Sequence, residues 1–217
     1  MPKLPDPPPL AVLAAITPDL RLLPAGTRLW RVHFQGGDYP SAWNAFRSFG
    51  PVATARFDHH LDGPAGPMTQ PRQILYSAIN GKTCVAEAFP ATRTIDTTKR
   101  DPWLAGFELI QDLLLLDLTG TWPTAAGASS AINSGPRPRA RRWSQAIHGA
   151  YPMVHGLWYR SSMYGNSPAI ALYERAAIAI PPQPFFHRPL HHPALYTMLH
   201  RLASEIRYRL IVRWFPP

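Results

Sequence analysis

Residues 73–79 (QILYSAI) and residues 82–89 (KTCVAEAF) decide the fold class, because they place a strand directly before a helix. The first stretch is an almost unbroken apolar run with the length of a buried strand. Asn80-Gly81 separates the two stretches and is a turn signal. The second stretch fits a short helix with Thr83 as its N-cap, and it ends before a proline that cannot continue it. The sequence therefore predicts a strand, a tight turn and a short helix in succession.

Further strands are predicted on both sides of this unit by alternation or by apolar runs. They cover residues 27–34, 52–57, 103–109, 113–118, 156–161 and 206–212, the last alternating like an edge strand. Helices are predicted at 141–150 and 193–203, residues 41–49 fit a short helix or turn, and residues 59–72 form a loop. The order has no regular strand–helix–strand repeat, and it contains no glycine-rich nucleotide motif. We therefore expect an α+β fold.

Proline and glycine are frequent, with 26 and 14 of the 217 residues, so the elements should be short and joined by many turns. A hydrophobic content of 46% is sufficient to bury a sizeable core. We expect a single compact domain over residues 21–217, with a mixed β-sheet core and short flanking helices. A proline-rich N-terminal arm over residues 1–20 precedes it.

The chain is basic, with 22 Lys and Arg against 13 Asp and Glu and a formal net charge of +9. This balance favours an anionic partner, which could be nucleic acid, a dinucleotide or an acidic protein. The lone cysteine, Cys84, has no second cysteine with which to form a disulfide or a zinc cluster. The sequence has no apolar run long enough to cross a membrane, so we expect a cytoplasmic protein without a membrane partner.

A series of short motifs resembles the RES domain, a family named after Arg, Glu and Ser. The motifs are Leu29-Trp30-Arg31-Val32, Ala55-Arg56-Phe57-Asp58, Ile74-Leu75-Tyr76-Ser77-Ala78, Ala86-Glu87-Ala88 and Gly156-Leu157-Trp158-Tyr159-Arg160-Ser161. Their order and spacing carry the resemblance, which covers residues 28–177. The chain departs from the family in two places. Where the family commonly has Gly-Gly-Arg-Trp-Asn, residues 54–58 of this chain are TARFD, and the loop before Tyr76 is longer than is usual in the family.

The resemblance implies a fold like that of ADP-ribosyltransferase toxins and an activity that destroys NAD by phosphorolysis or hydrolysis. NAD would then be the substrate, with inorganic phosphate as a candidate co-substrate and no cofactor. The family's proteins often act as the toxin of a toxin–antitoxin pair, so a helix-turn-helix (Xre-like) antitoxin is the partner to expect. A homodimer stays open.

The expected site residues are those that the resemblance brings together. Cleavage of the bond between nicotinamide and ribose builds positive charge on the sugar, which a carboxylate stabilises, and Glu87 is the candidate. Arg31 and Arg56 are candidates to bind the two phosphates through bidentate hydrogen bonds. Tyr76 could stack on nicotinamide or ribose, and Ser161 could donate a hydrogen bond to the substrate without being a nucleophile. Glu87, Arg56, Tyr76 and Ser161 are the expected catalytic residues.

Each of these residues also has a purely structural interpretation: a helix-end glutamate, strand-surface arginines and a core tyrosine. Serine hydrolase chemistry is not expected, because no nucleophile elbow surrounds Ser161. His59-His60 and His187 with His191-His192 lack metal-ligand spacing, so no metal is expected. The basic segment 136–143 (PRPRARRW) supports a competing function as a nucleic-acid-binding protein through phosphate contacts and stacking on its tryptophan. A third alternative is an ADP-ribosyltransferase that modifies a macromolecule.

Overall fold

The computed structural model describes residues 4–212. Its strands are β1 (Leu20–Leu23), β2 (Arg28–Phe34), β3 (Arg47–Gly50), β4 (Met68–Ala78), β5 (Thr94–Asp96), β6 (Pro102–Glu108), β7 (Leu113–Asp117), β8 (Gly156–Arg160), β9 (Pro168–Tyr173), β10 (Phe186–Pro189) and β11 (Arg209–Ile211). Its helices are α1 (Leu10–Ala14), α2 (Gly81–Ala88), α3 (Trp122–Ala125), α4 (Arg137–Ala150) and α5 (Tyr196–Glu205), with 3₁₀ turns at Ser130–Asn133, Glu174–Ala179 and Pro193–Leu195. Residues 1–3 and 213–217, the outer ends of the predicted arm and domain, lie outside the described residues.

A nine-stranded mixed sheet forms the centre of the described structure. Its strands follow the order β1-β7-β8-β9-β4-β2-β6-β10, and β3 pairs with β4 beside this path. β7 and β8 are parallel, while the other pairs in this sheet are antiparallel. β11 and β5 make a separate two-stranded parallel sheet. The predicted α+β fold with a mixed sheet and short flanking helices is confirmed.

Side chains pack against both faces of the central sheet. On one face, Trp143 and Ile147 of α4 lie in a buried cluster with Leu157 of β8. On the other face, Leu29 of β2 and Phe107 of β6 pack with residues of the 3₁₀ turn Glu174–Ala179. A third cluster joins α2 to α5. Because both faces are covered, the alternating strand β2 is buried or half-buried along most of its length.

The N-terminal residues lie against α4. Leu4 and Leu13 are buried in the same cluster as Trp143, whose indole Nε1 donates a hydrogen bond to the Pro5 carbonyl at 2.8 Å. The Arg139 guanidinium donates to the Leu4 carbonyl at 2.6 Å. The described part of the arm is therefore held on the domain by buried side chains and hydrogen bonds, while the predicted boundary after residue 20 stays a prediction.

Most predicted strands are confirmed to within two or three residues, but the strand predicted at 52–57 is wrong. Those residues form turns, because their polar groups bond to side chains and to one another instead of to a neighbouring strand. The Val52 amide donates to the Asp58 carboxylate at 2.5 Å, and the Ala55 amide donates to the Val52 carbonyl at 3.1 Å. The loop predicted at 59–72 is also too long, since β4 already begins at Met68, where it pairs with β3.

The N-cap residue of α2 differs from the predicted one. Asn80, rather than Thr83, is the N-cap: its backbone is extended, and its side-chain oxygen accepts hydrogen bonds from the Thr83 amide at 2.8 Å and the Thr83 hydroxyl at 2.9 Å. Asn80 therefore belongs both to the turn and to the helix end. Within residues 4–212, no helix is long and apolar enough to cross a membrane.

Candidate active site

A cavity of about 340 Å³ lies between one face of the central sheet, helix α2 and the loop at residues 51–58. Arg56, Tyr76 and Glu87 all line it, although they come from the loop, from β4 and from α2. The structure thus brings together three of the residues that the sequence singled out. Ser161 does not line the cavity, but it contacts Glu87 directly, and its neighbour Ser162 does line it.

Glu87 is held in position by Ser161. The buried Ser161 hydroxyl donates a hydrogen bond to the Glu87 carboxylate at 2.5 Å, and the same oxygen accepts the amides of Met163 and Tyr164 at 3.1 Å each. Those two amides fix the hydroxyl oxygen, so its proton points to the carboxylate. A serine placed in this way orients Glu87, and its oxygen is not free to attack a substrate.

Three arginines line the cavity together with Glu87: Arg47, Arg56 and Arg137. Arg56 donates to the Gly135 carbonyl at 2.5 Å, and burial, together with the nearby charge of Arg137, lowers its pKa. Arg137 is the first residue of α4, a helix end that carries a partial positive charge. Arg47 is paired with Asp58, but Arg56 and Arg137 outnumber Glu87, the one carboxylate among the described lining residues, so the cavity is suited to an anionic ligand.

Sequence reasoning did not identify Arg47 or Arg137 as site residues. Arg137 had a signal, because it begins the basic segment 136–143, but that segment pointed to nucleic acid. No signal in the sequence pointed to Arg47. Residues 41–49 were expected to form a helix or turn, whereas Arg47 is the first residue of β3.

Arg31 is buried on the opposite face of β2, and the structure does not bring it to the cavity. Side chains alternate along a strand, and here Val32 and Phe34 point into the cavity. Arg31 donates to the Ala45 carbonyl at 2.9 Å, and burial lowers its pKa to about 10. The guanidinium of Arg31 thus bonds to the segment before β3, and its expected role in binding a phosphate stays a prediction.

Two tyrosines, Tyr76 and Tyr159, line the cavity together with Phe34. The hydroxyl of Tyr76 is buried and makes no hydrogen bond of normal geometry, and burial followed by the nearby Asp58 charge raises its pKa. Burial and then the charge of Glu87 raise the pKa of Tyr159 as well. Both phenols therefore stay protonated at neutral pH. They can supply ring surface and a donor proton, but not a general base.

A buried carboxylate, Asp58, holds the loop that carries Arg56. Its oxygens accept hydrogen bonds from Arg47 at 2.8 Å and from the Val52 amide at 2.5 Å, and they contact the His60 ring. Burial alone would raise the pKa of Asp58, but the hydrogen bond with His60 and the charge of Arg47 lower it to about 2. Asp58 therefore fixes two cavity arginines, one directly and one through the loop.

Behind this loop, His59 and His148 both bond to Glu174. Their Nε2 atoms lie 3.0 Å and 2.6 Å from the Glu174 carboxylate, which also accepts the Gln73 amide at 3.1 Å. The three side chains place potential ligand atoms within 4.8 Å of one another. Hydrogen bonding accounts for the contacts of this group, and the expectation that the chain holds no metal stays a prediction.

Cys84 lines the cavity, yet its thiol is not poised for nucleophilic chemistry. The sulfur donates a hydrogen bond to the Trp30 carbonyl at 2.8 Å, and burial raises the pKa of the thiol. A thiol in this state stays protonated and inert. The observed contacts fit a packing role for Cys84.

The basic segment 136–143 forms the first two turns of α4, and its side chains are largely engaged within the chain. Trp143 is fully buried, so it cannot stack on an external base. Arg139 bonds to Leu4, Arg141 to the Ala53 carbonyl at 3.1 Å, and Arg142 to Asp6 at 2.6 Å. The stacking argument for a nucleic-acid-binding surface at this segment is therefore wrong.

Comparison with known proteins identifies a structural relative. No family model and no curated protein matches the chain. A chain in the crystal structure of the M. tuberculosis MbcT–MbcA toxin–antitoxin complex is similar, with a TM-score of 0.54 and 18% sequence identity. The match covers 83% of the present chain and 92% of that chain. The chain therefore shares the fold of a component of a toxin–antitoxin complex.

Proposed function

We propose that this chain is an NAD-consuming enzyme that cleaves the nicotinamide–ribose bond and acts as the toxin of a toxin–antitoxin pair. The observation that carries the proposal is the placement of Glu87: Ser161 orients its carboxylate at the wall of a cavity that Arg56 and Arg137 otherwise make cationic. The resemblance to RES-domain proteins and the fold shared with a component of a toxin–antitoxin complex support the same function.

The proposed reaction requires a cavity that binds two negatively charged phosphates and stabilises one developing positive charge. As the bond between the ribose C1′ and the nicotinamide nitrogen breaks, its electron pair leaves with nicotinamide, which departs as a neutral molecule. Positive charge then develops on the sugar, where the Glu87 carboxylate stabilises it. Phosphate or water attacks C1′ to complete the reaction, and water loses a proton in doing so.

The remaining side chains bind and orient the substrate. Arg56 and Arg137 are suited to the diphosphate, because guanidinium groups stay charged and donate paired hydrogen bonds. The ring of Tyr76 offers a flat surface for nicotinamide or ribose, while its hydroxyl is buried and makes no hydrogen bond of normal geometry among the described residues. Ser161 acts through Glu87 as a positioning residue.

The test is nicotinamide release from NAD by the purified protein, with phosphate present or omitted. Glu87→Gln keeps the size and hydrogen-bonding capacity of the side chain but removes its charge, so turnover should fall by about 10²–10³. The matched control is Glu108→Gln, because Glu108 is a surface partner of Arg28 that lies away from the cavity. Phosphate dependence of the wild-type rate would indicate phosphorolysis, and an equal rate in both buffers would indicate hydrolysis.

Two results would contradict the proposal. Folded wild-type protein that releases no nicotinamide in either buffer would exclude NAD cleavage. Equal turnover of Glu87→Gln and wild type would exclude the role of Glu87. Transfer of ADP-ribose to a macromolecule, instead of release as a free product, would favour the alternative of an ADP-ribosyltransferase.

The antitoxin is part of the proposal and has its own test. The resemblance implies a helix-turn-helix (Xre-like) partner, and the basic charge of +9 favours an acidic one. Co-expression of the chain with the protein encoded beside it should yield a complex and restore growth that the chain alone suppresses. A homodimer stays a prediction, which measurement of the molar mass in solution would check.

A further inference from the structure

Helix α4 lies along the loop at residues 51–58, and one face of the helix bonds to the backbone of this loop and of the residues directly after it. Side chains three and four positions apart share a face of a helix. The bonds run from Arg141 to the Ala53 carbonyl at 3.1 Å, from Ser144 to the Phe57 carbonyl at 2.8 Å and from Gln145 to the His60 carbonyl at 2.6 Å. Because residues 52–57 form turns, these side chains replace the hydrogen bonds that a neighbouring strand would supply.

Glu174 lies where the loop, α4 and the central sheet meet. Its carboxylate accepts hydrogen bonds from His59, directly after the loop, and from His148 in the last turn of α4, at 3.0 Å and 2.6 Å. It also accepts the Gln73 amide of β4 at 3.1 Å. Glu174 directly follows β9, which pairs with β4 within the sheet. One carboxylate therefore ties both the loop and the helix to two paired strands.

The charge of Glu174 strengthens these bonds. Burial alone would raise the pKa of Glu174, but the hydrogen bonds from His148 and His59 lower it, so the carboxylate is ionised at neutral pH. An ionised carboxylate only accepts, so each imidazole donates its Nε2 proton. Burial lowers the pKa of His59 to about 4, so its ring donates as a neutral group. The guanidinium of Arg175 lies 4.0 Å from the same carboxylate.

The loop and α4 carry the two arginines that are proposed to bind the diphosphate. Arg56 belongs to the loop, and Arg137 is the first residue of α4. Near the cavity, the loop is joined to the segment before α4 by the bond from Arg56 to the Gly135 carbonyl at 2.5 Å. At the far end of the helix, the bonds to Glu174 join the same two elements. Because a helix is a rigid element, an anchor at one of its ends also restrains the other.

We propose that Glu174 is a positioning residue that fixes the spacing of Arg56 and Arg137 and thereby sets the affinity of the cavity for a diphosphate. This proposal rests on the proposed function. Glu174 does not line the cavity, so it acts through the two arginines and not on the substrate. Two guanidinium groups bind two linked phosphates best at one separation, and a displacement of about 1 Å is sufficient to weaken such a site.

The experiment begins with Glu174→Gln, which keeps the shape of the side chain but replaces one accepting oxygen by a donor. KM for NAD should rise about fivefold with little change in kcat, because a diphosphate contact contributes equally before and during the reaction. The matched control is Glu108→Gln, the same substitution at an exposed partner of Arg28 away from the cavity, and both constants should stay at the wild-type values. Unchanged KM in folded Glu174→Gln would overturn the proposal.

A second background separates positioning from a general loss of structure. With Arg137→Ala, no spacing between two arginines is left to fix, so the addition of Glu174→Gln should change KM less than about twofold. A purely structural role would instead lower kcat by the same factor in both backgrounds, through loss of folded protein, and this result would overturn the proposal. If Glu174→Gln does not fold, Gln145→Ala removes a half-buried bond to the loop and is measured in the same two backgrounds, with the same expected pattern.

Binding of ADP-ribose separates failure of this proposal from failure of the proposed function. Its dissociation constant should rise about fivefold in Glu174→Gln and change little when Arg137→Ala is already present. If NAD is not cleaved but ADP-ribose binding follows this pattern, the positioning role stands and the cleavage reaction is wrong. If NAD is cleaved but Glu174→Gln affects ADP-ribose binding equally in both backgrounds, or not at all, the cleavage reaction stands and the positioning role is wrong.

Discussion

Replacement of Asp58 by Asn should destabilise the protein and impair the site at the same time. Asp58 is fully buried, and its carboxylate is the partner of Arg47, of the Val52 amide and of the His60 ring. Asn has the same shape and can still accept from Val52, but it carries no charge. The substitution therefore leaves the guanidinium of Arg47 without its ion-pair partner.

The size of the effect follows from the burial of the pair. Breaking a buried ion pair from one side costs about 3–5 kcal/mol. The Arg47 side chain is 32% exposed, so solvent offsets part of the loss, and we expect a value near the lower limit, about 3 kcal/mol. For a chain of this size, that corresponds to a fall in the midpoint of thermal unfolding on the order of 6–12 °C.

The assay is urea unfolding of wild type, Asp58→Asn and the control Asp62→Asn, which alters an exposed carboxylate on the same loop. The pKa of Asp58 is lowered from 3.8 to about 2, so its contribution is present above about pH 4 and is lost as the pH falls toward 2. The difference between wild type and Asp58→Asn should shrink over that interval. A difference below about 0.5 kcal/mol at pH 7, equal to that of Asp62→Asn, would refute the argument.

Two further substitutions separate stability from function. Tyr76→Phe removes a buried hydroxyl that makes no hydrogen bond of normal geometry, so urea unfolding should show no loss of stability. Its turnover of NAD should nevertheless fall at least tenfold if the hydroxyl donates to the substrate, and unchanged turnover would limit Tyr76 to a packing role. Arg137→Ala should raise KM for NAD about tenfold with little change in kcat, because the proposed diphosphate contact would be present before and during the reaction. A fall in kcat at constant KM would instead place Arg137 at the reacting atoms.

Much of the sheet could be predicted from the sequence because its strands carry local signals. The apolar run before Asn80 and the alternation in β2 each identify a strand without knowledge of its neighbours. The stretch at 52–57 alternates in the same way but forms turns, since the Asp58 carboxylate captures the Val52 amide. The periodicity of a sequence does not reveal a side chain that competes with strand pairing for the backbone hydrogen bonds.

The site was predictable to a different extent. Glu87, Arg56 and Tyr76 were identified by resemblance and do meet in one cavity, which composition and periodicity could not have indicated. Arg31 was expected in the site but does not line the cavity. Alternation predicts that successive side chains of a strand point to opposite faces, but it does not indicate which face has the cavity. Arg47 was missed because its place depends on pairing between β3 and β4, a contact between residues distant in sequence.

The position of Glu87 at the end of α2 has an energetic consequence for its role. A carboxylate in the last turn of a helix meets the negative end of the helix dipole, which is unfavourable by about 0.3–1 kcal/mol. The hydrogen bond from Ser161 acts in the opposite direction, and a bond to a charged group contributes about 1.5–3 kcal/mol. Because the bond outweighs the dipole, the carboxylate stays directed at Ser161 and the cavity rather than turning to solvent. The helix end and the serine together therefore account for a fixed carboxylate that shares the cavity with Arg56 and Arg137, which is the arrangement that a reaction with an anionic substrate and a cationic transition state requires.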